Sequence, residues 1–352
     1  MRSRTYPICL LFAFALLPDL SIADTGTFVD KFSPTDLRVV SYNVLWNRIF
    51  PDQGVTAERF DRVVNALQPD ILNLQEVTRS PQEVATLMNT IAPLPNDASW
   101  FTYQFSDNVI VSKFSFWHTD RAGAGGAAAL IDLPDDEYPT DIFVINDHWP
   151  CCSNEGGRQN ESDLMVTVLE DARTPGGTFD LPQNTPMLML GDLNIVGSGQ
   201  PLQTILTGDI QDEDRYGLDS PPDWDGTSLA DANPPHNGRG PEDWTWRDDA
   251  LIFDPGILDF ILYTDSVLAT ANEFVLNTTT MTTEELSATG LQTYDVVIDE
   301  KTGSFDHIPV VVDFRIIPEP ASLAIAMTGA AVAFSALGRP WKKLASHPRR
   351  GR

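Results

Sequence analysis

Short apolar runs that stop abruptly at a polar residue recur along this chain. The plainest is MLMLGDLNIVG, residues 187–197, where four apolar residues end at Gly191 and Asp192, Leu193 and Asn194 follow. The run reads as a buried strand closed by a glycine. An acid and an amide two residues apart in extended chain face the same way. Asp and Asn are also ordinary turn residues, so other segments must decide what this pair is for.

The alternation in LRVVSYNV predicts a strand over 37–44. Helical spacing follows over 57–67 and is stopped by Pro69. Residues 71–74 read as a short buried strand ahead of Gln75 and Glu76, and 81–90 as a second helix. Strands are expected over 101–111, 127–131 and 142–146, the last leading into DHWPCC, then a helix over 161–172. The strand at 187–190 precedes a long stretch, 208–249, rich in Asp, Pro, Gly and Trp. A loop of that length is functional or disordered. Its acids Asp209, Asp212, Asp214, Asp223 and Asp225 do not follow a calcium-loop spacing and read as solvated. Strands at 258–263 and 308–316 close the pattern. Helices and strands alternate early and strands dominate late. The class is therefore α/β: two mixed β-sheets packed face to face with helices outside.

The ends stand apart from this pattern. Residues 1–23 carry Arg2 and Arg4, an apolar stretch over 8–17, and Ser21-Ile22-Ala23, the layout of an export signal peptide. Residues 318–352 begin with Pro318-Glu319-Pro320, continue with an apolar stretch over 321–338 and finish with Arg339, Lys342, Lys343, Arg349, Arg350 and Arg352. The stretch is long enough to span a bilayer, and its basic flank would stay on the cytoplasmic side. It reads either as an ordinary membrane anchor or, by its resemblance to the bacterial PEP-CTERM sorting signal, as a segment recognised by an exosortase-type processing enzyme after transient membrane insertion. The expected location is extracellular, on the cell surface or in the matrix. The segment between, 24–317, suits a single catalytic-size domain, expected to be monomeric.

The chain has a formal net charge of −27, and the basic tail makes the middle segment more acidic still. Its Lys and Arg residues form no run, which argues against a tight nucleic-acid binder. An acidic surface suits cations and slows polyanions unless metal ions screen the site. Of three cysteines, Cys9 lies in the leader and Cys151 and Cys152 are adjacent, so no zinc site can be built from them.

Polar groups at strand ends carry the candidate chemistry. Asn43 follows VVSY, Glu76 follows ILNLQ, Asn146 and His148 follow IFVI, and Asp192 and Asn194 follow MLML. Asp259 sits inside ILDFIL, and Asp306 and His307 precede IPVVV. A buried charge is costly unless paired or metal-bound, so the set points to one shared polar cleft. The motifs SYNV, LQEV, VINDHWP, GDLN, LDFIL and FDHIPVVV, in this order, resemble those of the endonuclease/exonuclease/phosphatase superfamily, metal-dependent phosphohydrolases with a deoxyribonuclease-like fold. The likeness runs from Leu37 to Phe314. It implies a four-layer α/β sandwich with its site at the top of the two sheets.

It also implies roles. Glu76 would bind Mg²⁺ or Mn²⁺, supported by the amide of Asn43 and by Asp306 acting through water. Asp259 would orient His307, Asp192 would position or deprotonate the attacking water, and Asn194 and His148 would donate to the phosphate or leaving group. Whether Asp192 or His307 is the formal base stays open. Asn146 would support His148, and Asn108 would touch substrate or serve as a turn residue. Arg158 would hold phosphate or lie as a surface charge at a helix start. His236 reads as an exposed loop histidine. Trp224, Trp244 and Trp246 are core residues or stacking platforms, and Trp149-Pro150-Cys151-Cys152 lies where members of the family carry varied loops. The implied activity is phosphoester hydrolysis, with a nuclease-type phosphodiesterase first. A phosphatase or phospholipid phosphodiesterase on the same fold is the alternative, as is a catalytically idle surface or matrix protein.

Overall fold

Residues 37–43 alternate between two apolar environments, and they form β1 (Leu37–Asn43), buried along its whole length. The computed structural model describes residues 26–249, 251–296 and 305–317. The two terminal segments assigned to export and sorting lie outside them. Among the described residues, no helix is long and apolar enough to cross a membrane.

β1 pairs in parallel with β2 (Ile71–Gln75) through a crossover that contains α1 (Val55–Leu67). This helix ends at Gln68 in the left-handed region, because Pro69 cannot continue it. α2 (Pro81–Ile91) starts at a capping box in which Ser80 and Glu83 each accept the other's backbone N–H, with Pro81 at the first helical position. The apolar run expected as one strand over 101–111 is instead a hairpin, β3 (Phe101–Phe105) and β4 (Asn108–Ser112), folded at Ser106 and Asp107. β11 (Leu268–Val275) and β12 (Val310–Ile316) complete a six-stranded sheet in the order β11-β12-β1-β2-β4-β3.

The second sheet contains β5 (Phe116–Ala122), β6 (Gly126–Ile131), β7 (Ile142–His148), β8 (Met187–Asp192), β9 (Ala230–Asp231) and β10 (Asp259–Tyr263), in the order β5-β6-β7-β8-β10-β9. Its parallel pair is β7 and β8, joined through α3 (Glu155–Arg173). α3 begins six residues earlier than its apolar spacing shows, because Asn154 caps it by accepting Gly157 N–H at 3.0 Å.

Alternation along the strands sorts side chains into layers. In β7 and β8, Phe143, Ile145, Met187 and Met189 face α3, packing with Met165, Val166 and Leu169. Val144, Leu188 and Leu190 face the other sheet and join its core. The result is helix, sheet, sheet, helix: the expected four-layer α/β sandwich with two mixed sheets.

Both parallel pairs end at the same edge of the sandwich. Asn43 lies opposite Gln75 at the end of one pair, and His148 opposite Asp192 at the end of the other. Gly191 allows this second alignment. Its φ is +133°, and a Cβ there would lie 1.9 Å from the Asp147 carbonyl oxygen, so any side chain would drive β7 and β8 apart beside the site.

Candidate active site

Asp192 is the hub. It ends β8 buried, with its carboxylate turned toward β1, β7 and β12. Its Oδ1 accepts Asn194 N–H at 3.0 Å. Its Oδ2 accepts Asn43 Nδ2 at 3.0 Å and lies 3.6 Å from His148 Nε2 and 3.5 Å from His307 Nε2. Each imidazole is backed by a second carboxylate. His307 Nδ1 is 2.7 Å from Asp259 Oδ2, and His148 Nδ1 is 2.9 Å from Asp107 Oδ2. The site is therefore two carboxylate–histidine pairs converging on one buried carboxylate.

Charge follows from this geometry. Burial works against a charged His307, but Asp259 and Asp192 outweigh it and raise its pKa to about 10. Burial likewise opposes charge on His148, and its hydrogen bond to Asp107 and the charge of Asp192 raise it to about 9. Burial raises the pKa of Asp192 above the usual carboxylate range, against the lowering pull of His307. Both imidazoles are thus held as cations and donors, and Asp192 is left as the acceptor between them.

Glu76 follows β2 in a left-handed conformation, φ +61°. Its Oε1 accepts Asn43 Nδ2 at 3.2 Å and its Oε2 accepts Trp46 N–H at 3.1 Å. One amide, that of Asn43, therefore bridges Glu76 and Asp192. Burial raises the pKa of Glu76, so a positive partner would be favourable there. Asp306 precedes His307, and its Oδ1 is buried without a hydrogen-bond partner, as is Oδ1 of Asp259.

These orphaned oxygens and the oxygen-only set Glu76, Asp306 and Asn43 fit a hard divalent cation. Asp192, Asp259 and His307 form another possible metal site, with ligand atoms within 4.8 Å of one another. Both ring nitrogens of His307 already face carboxylates in that trio, so it stands equally as a hydrogen-bonded relay.

Other sequence-predicted residues lie outside the cluster or serve it indirectly. Asn194 sits beside Asp192 with φ +49° and gives one amide hydrogen to the Trp149 carbonyl at 3.1 Å. Asn108 is fully buried. Its Nδ2 donates to the Gly125 carbonyl and its Oδ1 is unpartnered, so it anchors the start of β6. Asn146 is a correction. Two residues deeper than His148, it donates to the Leu74 and Val109 carbonyls and accepts from Gln75 Nε2, pinning one sheet to the other.

Arg158 is a second correction. It is buried under the site loops, where its guanidinium donates to the carbonyls of Pro150, Cys152 and Val196. It shapes the two loops and presents no cation to a phosphate. Cys151 and Cys152, inside that tethered loop, are joined as a disulfide. His236 is buried rather than exposed, with its ring held by the Trp244 carbonyl and the Asn277 amide. Asp223 is also buried and accepts from Trp224 N–H and Ser266, so it is a loop anchor and not a solvated acid. Trp149 is core, and its Nε1 donates to Asp147 Oδ2.

Two contributors escaped the sequence reading. Asp107 was hidden inside a presumed continuous strand, although Ser-Asp-Asn within an apolar run is a turn signal. Thr245 closes the long loop: its hydroxyl accepts N–H from Leu258 and Asp259, and its carbonyl accepts N–H from Ile308. That end of the loop is part of the frame holding Asp259 against His307.

Comparison with known proteins agrees with this architecture. A model of the Endonuclease/Exonuclease/phosphatase family matches residues 40–280, which include Asn43, Glu76, His148, Asp192, Asn194 and Asp259 and stop short of His307. The chain is similar to the structure of ANGEL2, a 2′,3′-cyclic phosphatase, in complex with adenosine-2′,3′-vanadate. The TM-score is 0.54 and the identity 16%, over 82% of this chain and 97% of that one. An endonuclease/exonuclease/phosphatase family protein from Bacteroides thetaiotaomicron gives 0.50 and 13%, over 82% of this chain and 100% of its own. One from Leptotrichia buccalis gives 0.50 and 14%, over 80% and 100%. At these identities the likeness concerns the fold alone. No curated protein matches the chain by sequence. The family match spans most of the chain, on a pair of stacked mixed sheets whose parallel strands end at one polar cluster, and by it the chain belongs to the endonuclease/exonuclease/phosphatase family.

Proposed function

We propose that this protein is an exported, Mg²⁺- or Mn²⁺-dependent phosphoester hydrolase, and that it acts as a nuclease-type phosphodiesterase. The observation that carries the reading is the placement of Asp192 Oδ2 within 3.6 Å of two imidazoles, each backed by its own carboxylate. An idle matrix protein has no use for two carboxylate-backed histidines set around one buried acceptor.

The residues divide the work by charge. Asp192 orients the attacking water and accepts its proton. This choice follows from its place as the buried carboxylate that both Nε2 atoms face, while each Nδ1 is taken by its own carboxylate. His307, fixed by Asp259, donates to a non-bridging phosphate oxygen and stabilises the charge that develops there. His148, fixed by Asp107, is the more open of the two and donates to the leaving oxygen. Asn194 offers its second amide hydrogen to the phosphate. Glu76 and Asp306, with Asn43, would hold the divalent ion. When bound, that ion supplies neutralisation of the phosphate and of the leaving oxygen.

The test is turnover of plasmid DNA, RNA, bis(p-nitrophenyl) phosphate and a phospholipid analogue by the purified protein, with EDTA and after metal restoration. Hydrolysis of at least one phosphodiester is expected, abolished by EDTA and restored by Mg²⁺ or Mn²⁺. Full activity in EDTA, or none on any substrate in folded, metal-loaded protein, would overturn the proposal.

A further inference from the structure

The turn after β1 is strained, and the site determines its shape. Leu45, Trp46 and Asn47 lie in succession at φ +45°, +53° and +66°, three non-glycine residues in the left-handed region. Such residues normally occur singly, because Cβ crowds the following carbonyl. A run of three persists only where surroundings over-determine it. Here Leu45 N–H donates to Asn43 Oδ1, Trp46 N–H to Glu76 Oε2, and Asn47 N–H to the Glu76 carbonyl. The Asn47 side chain locks the turn from outside. Its Oδ1 accepts N–H from Thr78 and Arg79, and its Nδ2 donates to Thr78 Oγ1. The strain thus fixes one residue on the rim beside Glu76, and that residue is a tryptophan left 59% exposed.

The turn fixes the backbone that carries this indole, and its exposure leaves the ring open as a flat apolar surface beside Glu76. Trp149 is core, and Trp224, Trp244 and Trp246 are half-buried, so among the described residues Trp46 is the exposed ring beside Glu76. The neighbouring cation, Arg79, is already paired with Asp52 and stacked on Phe50 at 4.3 Å. Arg79, the described cation stacked beside this turn, is therefore already engaged. With a net charge of −27 and no run of Lys or Arg in residues 24–317, the protein favours a substrate with one phosphate and an organic group attached to it over a long polyanion. A planar group suits an indole face by stacking.

We propose that Trp46 is the specificity residue of this site and stacks on the base of a nucleoside phosphoester whose phosphate lies against Asp192, His148 and His307. This rests on the phosphoester hydrolase reading above and narrows its substrate class.

The experiment compares wild type, Trp46→Ala and Trp46→Phe on adenylyl-(3′,5′)-adenosine, with glycerophosphocholine as a phosphodiester without a ring. Thermal midpoints of the three proteins should agree, because the ring is exposed. In Trp46→Ala, KM for the dinucleotide should rise about tenfold or more, the size of one lost base stack. Its kcat should stay within about twofold, and Trp46→Phe should restore most of the loss. Turnover of glycerophosphocholine should be slow and alike in all three. An unchanged KM in Trp46→Ala, or an equal loss on both substrates, overturns the proposal. Should wild type turn over neither substrate, the hydrolase reading is still decided by its own substrate panel and this proposal is judged by binding. Adenosine monophosphate should then quench the fluorescence of wild type but not of Trp46→Ala. Equal quenching, or none in either, counts against it.

Discussion

Asp192→Asn is expected to lower kcat on a phosphodiester by about three to four orders of magnitude, the range lost when a catalytic acid–base group is neutralised in place. The substitution keeps the shape of the hub. The single amide oxygen can accept from either Asn194 N–H or the Asn43 side chain, so one of the two contacts is kept. What disappears is the negative acceptor between two cationic imidazoles. The same change has a second readout with a definite sign. Asp192 is one of the carboxylates that raise His307 and His148, so both imidazoles should titrate at lower pH in the variant. Imidazole NMR resonances followed against pH, in protein without metal, measure this directly. A kcat within tenfold of wild type, or unmoved histidine titrations, would remove Asp192 from the centre of the mechanism.

Asp313→Ala should cost about 3–5 kcal/mol of stability, the range for stranding one member of a buried ion pair. Arg38 on β1 and Asp313 on β12 are register partners, and both are almost wholly buried. The guanidinium is held at 2.6 Å and 2.7 Å by the two carboxylate oxygens, and its third nitrogen donates to the Leu67 carbonyl at the end of α1. Removing the carboxylate leaves a buried cation with one neutral acceptor. Urea unfolding should show a lower midpoint with an unchanged slope. Replacing both residues together with apolar ones of similar volume should recover most of the loss, because the pair's desolvation cost disappears with it. A loss below about 1 kcal/mol in Asp313→Ala would mean the pair is solvated, contrary to its burial.

Much of this arrangement is legible in sequence, for a physical reason. A core strand that breaks off at Asp, Asn or His must place that group at a strand end, and strand ends are where the two sheets open. Asp192, His148, Glu76, Asp259 and His307 follow this logic and meet in one cluster. Asn146 shows its limit. It lies on the same strand face as His148 but one pleat deeper, where the sheets are still in contact, so its amide serves the core. Depth along a strand depends on how the sheets stack, which local pattern does not encode. Arg158 fails for a similar reason. A helix-start arginine is ordinarily solvated, and only the way two loops fold over it buries it against their carbonyls.

Asp107 was obscured by continuity. FTYQFSDNVIVS carries one unbroken β signal across a two-residue turn, and reading it as a single strand places the acid in mid-sheet instead of at the tip of a hairpin facing His148. The edge strands β5 and β11 were missed because neither has a clean buried face. Their polar residues are only half covered, as edges require. The Trp46 turn contains no glycine to announce its left-handed backbone. Its conformation is imposed by Glu76 and Asn47, so tertiary contacts alone reveal it.

The proposed mechanism binds a phosphate between His148 and His307 over Asp192, with the metal held at Glu76 and not within the Asp192–Asp259–His307 trio. A crystal structure with Mn²⁺ and phosphate, the metal located by its anomalous scattering, tests this most directly. Phosphate oxygens are expected within hydrogen-bonding distance of both imidazole Nε2 atoms and of Asn194, and an Mn²⁺ peak against the Glu76 carboxylate. A phosphate bound away from both histidines, or a single metal peak inside the trio that displaces the His307–Asp259 contact, would contradict it.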